Sequence, residues 1–397
     1  MKKLHLFLLY TTIFFLQAYL IRFNIGSYPT NGQEILIALT TLSFLSIKVF
    51  SNKLIQTIKN IHKHWVLISF ILLTIYSIVA SGLHSNLDFY RHLKFTFFAI
   101  TLSFIFLETF QTAEEREKGI KVMGMGAIMF GIFSAFYNFA GLNLAHDLRL
   151  TGPLDAAVYL AFYIAPFFIY FTIKTLQKKE APILAIAAAL ILLATKSMGA
   201  IAAAFFVILF YLVTRKKLNK KSKAGLALIA IIIAAVIFNN KILPTIQTEY
   251  SSLDERGQIW QVSAEFLKEP STWIGGLGLG QFQENYASNV KEIIGQEPLD
   301  YIVLQPHNIL LLFIFNYGIF GLIFLLFLIY KISKNETSIF SLIFLYFLIH
   351  GLIDTPFFKN DLLILFMIFS QLSLGKPSHK SPQNGFRIIG LSHSRSQ

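Results

Sequence analysis

Three short polar stretches carry the residue types that handle phosphate and move protons. The first runs Asp147-Leu148-Arg149-Leu150-Thr151-Gly152-Pro153-Leu154-Asp155. The second is Asp254-Glu255-Arg256-Gly257, with Trp260 four residues after Arg256, so the two share a face on a helix. The third is Gln305-Pro306-His307-Asn308, directly before a long apolar run. A guanidinium forks onto phosphate oxygens, and a pair of them would offset charge developing on a departing pyrophosphate. An imidazole can accept a proton from an attacking hydroxyl. Plainer readings stand beside these. Arg149 pairs with Asp147 or Asp155, or reaches lipid headgroups, and the His-Asn pair is no more than a helix cap.

Between the second and third stretches lies Gly275-Gly276-Leu277-Gly278-Leu279-Gly280-Gln281-Phe282. It has the composition of a phosphate-cradling loop but follows no strand of a βαβ unit, so tight turns supporting a neighbouring helix are the better reading. A metal Lewis acid has no obvious seat: these stretches contain no His-Glu-x-x-His, no Cys/His cluster and no Asp-x-Asp. Asp254, Glu255 and Asp354 remain as scattered carboxylates. The chain has no Cys, which excludes disulfides and a thiolate nucleophile.

The elements that position these residues are membrane helices. Of 397 residues, 55% are hydrophobic against 14% charged, more apolar surface than a soluble domain can bury. The 41 Phe and 16 Tyr suit acyl chains and the headgroup boundary. A span needs about 20 apolar residues, and about twelve segments approach that length. They are 4–21, 35–50, 65–80, 95–110, 122–141, 157–176, 182–195, 199–214, 225–238, 308–330, 338–354 and 362–374. The first reads as an uncleaved anchor, because no small-x-small cleavage site follows it. The expectation is one transmembrane domain over 1–374, including an exterior loop over 239–307, with a disordered cytoplasmic tail over 375–397.

Charge sets the orientation. The 34 Lys and Arg exceed the 21 Asp and Glu, and in a soluble chain that excess would suggest a nucleic-acid partner. Here most of the basic residues fall on one side, densest at Arg215, Lys216, Lys217, Lys220, Lys221 and Lys223, and the positive-inside rule puts that side and both termini in the cytoplasm. Nucleic acid is therefore not expected, and membrane lipids are the surrounding partner. Arg149, Arg256, His307 and the turn at Lys196 all fall on the opposite, exterior side.

These residues, in this order, resemble the O-antigen ligase and O-antigen polymerase superfamily of bacterial envelope glycosyltransferases. The resemblance rests on Arg149-Leu150-Thr151-Gly152, Arg256 with Trp260, the Gly276 to Phe282 run, His307-Asn308 and Tyr317-Gly318. It covers about half the chain, from Arg149 to Asp361. It implies a GT-C-like, all-α polytopic protein of the bacterial plasma membrane. Such an enzyme takes a glycan from an undecaprenyl diphosphate carrier at the outer face and moves it to an acceptor hydroxyl. The acceptor would be lipid- or glycan-linked, anomeric configuration would invert, and no nucleotide sugar, metal or other cofactor is implied. By the same resemblance Arg149 and Arg256 bind the diphosphate and His307 engages the acceptor, with Trp260 and Asn308 beside the substrate. Where such proteins often carry Ser-Arg-Gly, this chain has Ser197-Met198-Gly199 after Lys196, and Lys196 is the candidate for the missing charge.

Within that superfamily a ligase, a polymerase and a protein O-oligosaccharyltransferase differ in acceptor, and the long exterior loop with its late His-Asn favours a ligase. A flippase or transporter of lipid-linked glycans is the competing class. Transport predicts ionisable groups near mid-span, often in two corresponding halves. The middles of these spans are nearly uncharged and the ionisable groups collect on one side.

Overall fold

The computed structural model describes residues 1–26, 28–142, 149–214, 252–334, 338–355 and 357–374. Asp147, the basic cluster, the expected span at 225–238 and the tail lie outside them. Helices run in the order α1 (Lys2–Phe14), α2 (Gly32–Phe50), α3 (Leu54–Lys59), α4 (Trp65–Ser81), α5 (Leu87–Thr109), α6 (Ala113–Phe139), α7 (Ala157–Leu176), α8 (Ile183–Ala194) and α9 (Met198–Thr214). They continue with α10 (Ser252–Phe266), α11 (Pro270–Gly275), α12 (Phe282–Ile294), α13 (Ile309–Ser333), α14 (Ile339–Gly351) and α15 (Leu362–Leu374).

Each expected span within the described residues is built on a helix, but not all are full crossings. By length and composition α2, α5, α6, α7 and α13 can cross a bilayer, and a sixth crossing arises if Leu54–Lys63 and α4, which meet at 84°, form one broken span. Helices α8, α9, α14 and α15 are apolar but shorter. The first expected span also ends early. Helix α1 stops at Phe14, and the 3-10 segment Leu16–Leu20 turns Gln17 inward, where its Nε2 donates to Asp361 Oδ2 at 2.6 Å. A hairpin follows, with Arg22–Ile25 antiparallel to Tyr28–Asn31, so among the described residues the fold is helical with one short sheet rather than strictly all-α.

Helix α7 lies at the centre of the bundle. Nearly every residue from Leu160 to Phe171 is buried, including Tyr163 and Phe167. The segment α10–α12 forms a lobe with a core of its own, in which Ile259 and Val262 of α10 meet Phe282, Tyr286 and Val290 of α12. That i, i+4, i+8 stripe is the buried face of an amphipathic helix. The lobe docks on the start of α13 through Ile314 and Phe315, and the Phe282 and Phe315 rings stack at 5.4 Å.

The glycine run serves this docking. Helix α13 breaks at Gly318 (φ 59°, ψ −156°), which leaves carbonyls of the preceding turn without intrahelical donors. The N–H groups of Leu277 and Gly278 donate to Phe315 O at 2.7 and 3.2 Å, and Gly280 N–H donates to Asn316 Oδ1 at 2.9 Å. From α4, Ser77 Oγ donates to Asn316 O at 2.6 Å and Tyr76 OH to Ile274 O at 2.6 Å. The loop amides are spent on a broken helix, which decides for the turn reading over a phosphate cradle.

A Cβ at Gly318 would collide with the Ile274 carbonyl, a backbone atom that cannot swing aside, and the φ/ψ pair is one only glycine adopts cheaply. Gly318→Ala should therefore destabilise the protein by roughly 2 to 5 kcal/mol, combining backbone strain with overpacking. Thermal unfolding in detergent checks this against Gly257→Ala, whose new methyl meets open space. Equal melting temperatures would contradict the docking account.

Candidate active site

After Gly351 the end of α14 turns back through Leu352, Ile353 and Asp354, and two of the sequence-selected residues converge on that turn. Arg256, one turn into α10, donates from Nε to Ile353 O at 2.9 Å, from Nη1 to Ser252 O at 2.8 Å and from Nη2 to Asp354 Oδ2 at 3.3 Å. His307 Nδ1 lies 2.9 Å from Asp354 Oδ1. Asp354 thus joins the α10–α12 lobe to the end of the bundle. Its side chain is 9% exposed, against 22% for Arg256 and 29% for His307, so the two bases line a surface that the carboxylate anchors from below.

Burial pushes the Asp354 carboxyl upward, but the hydrogen bond from His307, with the charges of His307, His350 and Arg256, overrides it and holds the group below the usual carboxylate range. Asp354 is then an anion at neutral pH and can only accept. Nδ1 of His307 therefore carries a proton, and Nε2 of the neutral ring is the nitrogen available to take one. The carboxylate end of this hydrogen bond is in place above the usual carboxylate range and is lost as pH falls through the lowered Asp354 value.

The backbone around His307 is held in the left-handed region, φ 48°, uncommon for a residue with a side chain. Two neighbours fix it. Trp260 Nε1 donates to Pro306 O at 3.1 Å. Asn308 Oδ1 accepts from the N–H groups of Leu310 and Leu311, and its Nδ2 donates to Leu352 O at 3.1 Å. Both ends of the Asn308 amide are thus engaged by protein, as a cap on α13 and a tie to the Asp354 turn. The Trp260 ring is 37% exposed.

Arg149 and Lys196 stand on adjoining turns outside this network. Both side chains are exposed. The Arg149 turn is fixed from α6 by Asn138, whose Nδ2 donates to Arg149 O at 2.9 Å and whose Oδ1 accepts from Gly152 N–H at 2.7 Å. Leu150 N–H donates to Ala194 O at 2.9 Å, which sets that turn against the end of α8 where Lys196 follows. On the other side of Lys196, Gly199 abuts the side chains of Ile353 and His350. The Arg149 turn thus packs on the end of α8, and the start of α9, just past Lys196, packs on the segment that carries Asp354.

His350 and Phe162 were not among the sequence candidates. His350 lies beneath Asp354, stacked on Phe162 at 3.8 Å and hydrogen-bonded through Nδ1 to Tyr346 OH at 2.8 Å, and its carbonyl accepts from Ile353 and Asp354 N–H. The only sequence sign of its position is the four-residue step from His350 to Asp354, one helical turn. Of the carboxylates weighed as metal ligands, Asp354 is taken up by His307 and Arg256. Among the described residues no group of three or more His, Asp or Glu converges as a metal site would.

A many-helix membrane bundle with an arginine, a histidine and a carboxylate hydrogen-bonded where α10 meets the end of α14 defines a class of membrane protein with polar chemistry beside its apolar helices. Residues 183–326 match the family model for O-antigen ligase, which supports the O-antigen ligase and polymerase superfamily and points to a membrane glycosyltransferase. The match spans Lys196, Arg256, Trp260, the glycine run, His307-Asn308 and Gly318. Arg149 and Asp354 lie outside it. No curated protein matches the chain.

Proposed function

We propose that this chain transfers a glycan from an undecaprenyl diphosphate carrier to an acceptor hydroxyl at the outer face of the bacterial plasma membrane, in the manner of an O-antigen ligase. The observation that carries this reading is the hydrogen-bonded set of Arg256, Asp354 and His307. His307 Nε2 accepts the acceptor hydroxyl proton as the acceptor oxygen bonds to the anomeric carbon. The bond from that carbon to the diphosphate breaks, and its electron pair leaves on the diphosphate. A single displacement of this kind inverts the anomeric centre and requires no metal. Arg256 and Arg149, with Lys196 between their turns, offset the charge on the leaving group. Trp260 offers an aromatic face to a sugar, and Asn308 serves by positioning His307.

Acceptor choice separates a ligase from a polymerase or a protein O-oligosaccharyltransferase. The test is transfer by purified protein from a defined undecaprenyl diphosphate glycan, in the presence of EDTA, with lipid A core sugar, carrier-linked glycan and protein offered separately. The ligase reading expects product on the lipid-linked core sugar. Product on another acceptor reassigns the label, and no product without added divalent ion overturns the metal-free mechanism.

Sidedness follows from the asymmetry of basic residues. In intact cells Ser288→Cys should react with an impermeant thiol reagent from outside, whereas Ser222→Cys should react only after the membrane is opened. Equal external labelling of both would overturn the orientation and the site with it.

A further inference from the structure

Lys359 lies in the exterior turn between α14 and α15, five residues past Asp354, and the mechanism above makes no use of it. Only 17% of its side chain is exposed. Its ammonium sits 3.1 Å from the centroid of the Tyr159 ring, and Asp155 Oδ2 is 4.0 Å away. Among the described residues its Nζ donates no hydrogen bond. An ammonium has three N–H donors, and withdrawing them from water without acceptors is costly.

The neighbouring acids do not relieve that cost. Asp361 is buried, its Oδ2 accepts from Gln17, and its Oδ1 has no hydrogen-bond partner among the described residues. Burial raises the Asp361 carboxyl, so it resists becoming the counter-ion. Burial also pushes the Lys359 ammonium down to about 8, with Arg22 adding to the fall and Asp361 and Asp155 opposing it. What remains is a cation on an aromatic floor with its donors unspent.

The recess adjoins the candidate active site. Tyr159 lies one turn before Phe162 on α7, and Phe162 stacks on His350, whose carbonyl holds the N–H groups of Ile353 and Asp354. We infer that Lys359 is an anion-binding residue of this site, gripping a phosphate of the lipid-linked diphosphate alongside Arg149 and Arg256. The inference rests on the glycosyltransferase reading and adds a further cation to the Arg149, Arg256 and Lys196 of its donor site. A phospholipid headgroup at the same boundary offers the same phosphate chemistry, so the test separates the two sources.

The experiment measures the affinity of the full chain for inorganic pyrophosphate, in nanodiscs of phosphatidylcholine. Lys359→Met should weaken binding by about tenfold, the loss of one charge-assisted contact. Asp155→Asn should act in the opposite direction, tightening binding by roughly threefold, because it removes the carboxylate that competes for Lys359. A merely structural ion pair gives no such gain, so this second variant decides the matter even if the first fails to insert. Unchanged affinity in Asp155→Asn and in inserted Lys359→Met overturns the inference and leaves the glycosyltransferase reading standing. Wild-type protein that binds no pyrophosphate removes both. If phosphatidylglycerol in the nanodisc displaces pyrophosphate from wild type but not from Lys359→Met, the headgroup is the ligand and the assignment to the donor is wrong.

Discussion

Arg256→Lys should lower the efficiency of glycan transfer by roughly 10²- to 10³-fold, although it keeps the positive charge. The guanidinium reaches three acceptors at once, Ser252 O, Ile353 O and Asp354 Oδ2, and that fork ties α10 to the turn beyond α14. An ammonium is a point charge on a flexible stem, so it can keep the contact to Asp354 but not all three. Hydrogen bonds from charged donors are worth about 1.5 to 3 kcal/mol each, and losing two of them at a partly exposed site costs about 3 to 4 kcal/mol in the transition state. The measurement is the initial rate of product formation at subsaturating donor, normalised to inserted protein. A rate within threefold of wild type would show that charge alone matters there and would remove the clamp from the mechanism.

His307→Ala should reduce turnover by about 10²- to 10⁴-fold, the range for losing a positioned general base. Donor affinity should persist, because the diphosphate contacts are assigned to the arginines. That separation distinguishes proton transfer from a structural role. His307 also pairs with the buried Asp354, and a merely structural loss would weaken donor binding and stability together. A variant with normal donor affinity and near-normal turnover would contradict the general-base assignment.

The helices were legible because hydropathy and length report directly on the solvent a segment faces. Where reading and structure part, a tertiary contact intervenes. The early end of α1 depends on Gln17 meeting Asp361 across 344 residues, which no local pattern records. The glycine run could be weighed between turn and phosphate cradle but not settled, since the decision rests on carbonyls released by the break at Gly318. Helix α12 is readable in the sequence from the four-residue spacing of Phe282, Tyr286 and Val290, which becomes its buried face.

The candidate site shows the same division. Arg149, Arg256 and His307 stood out because polar residue types are scarce in this chain and these fall on one side. Asp354 looked like a scattered carboxylate because its partners are 98 and 47 residues away in sequence. Lys359 is not among the residues the sequence singles out, and the Tyr159 ring beneath it and the distance to Asp155 set it apart only in the fold.

A glycosyltransferase forms a glycosidic bond and breaks the bond to the diphosphate, whereas a flippase moves the intact lipid-linked glycan across the bilayer. The most direct test uses proteoliposomes of one orientation, with undecaprenyl diphosphate glycan in the bilayer and a core-sugar acceptor added at the face carrying α10–α12. Glycan joined to acceptor, with an equal amount of undecaprenyl diphosphate released, is the predicted result. Glycan that reaches the opposite leaflet still joined to its diphosphate, with none on the acceptor, would contradict it and assign the protein to transport.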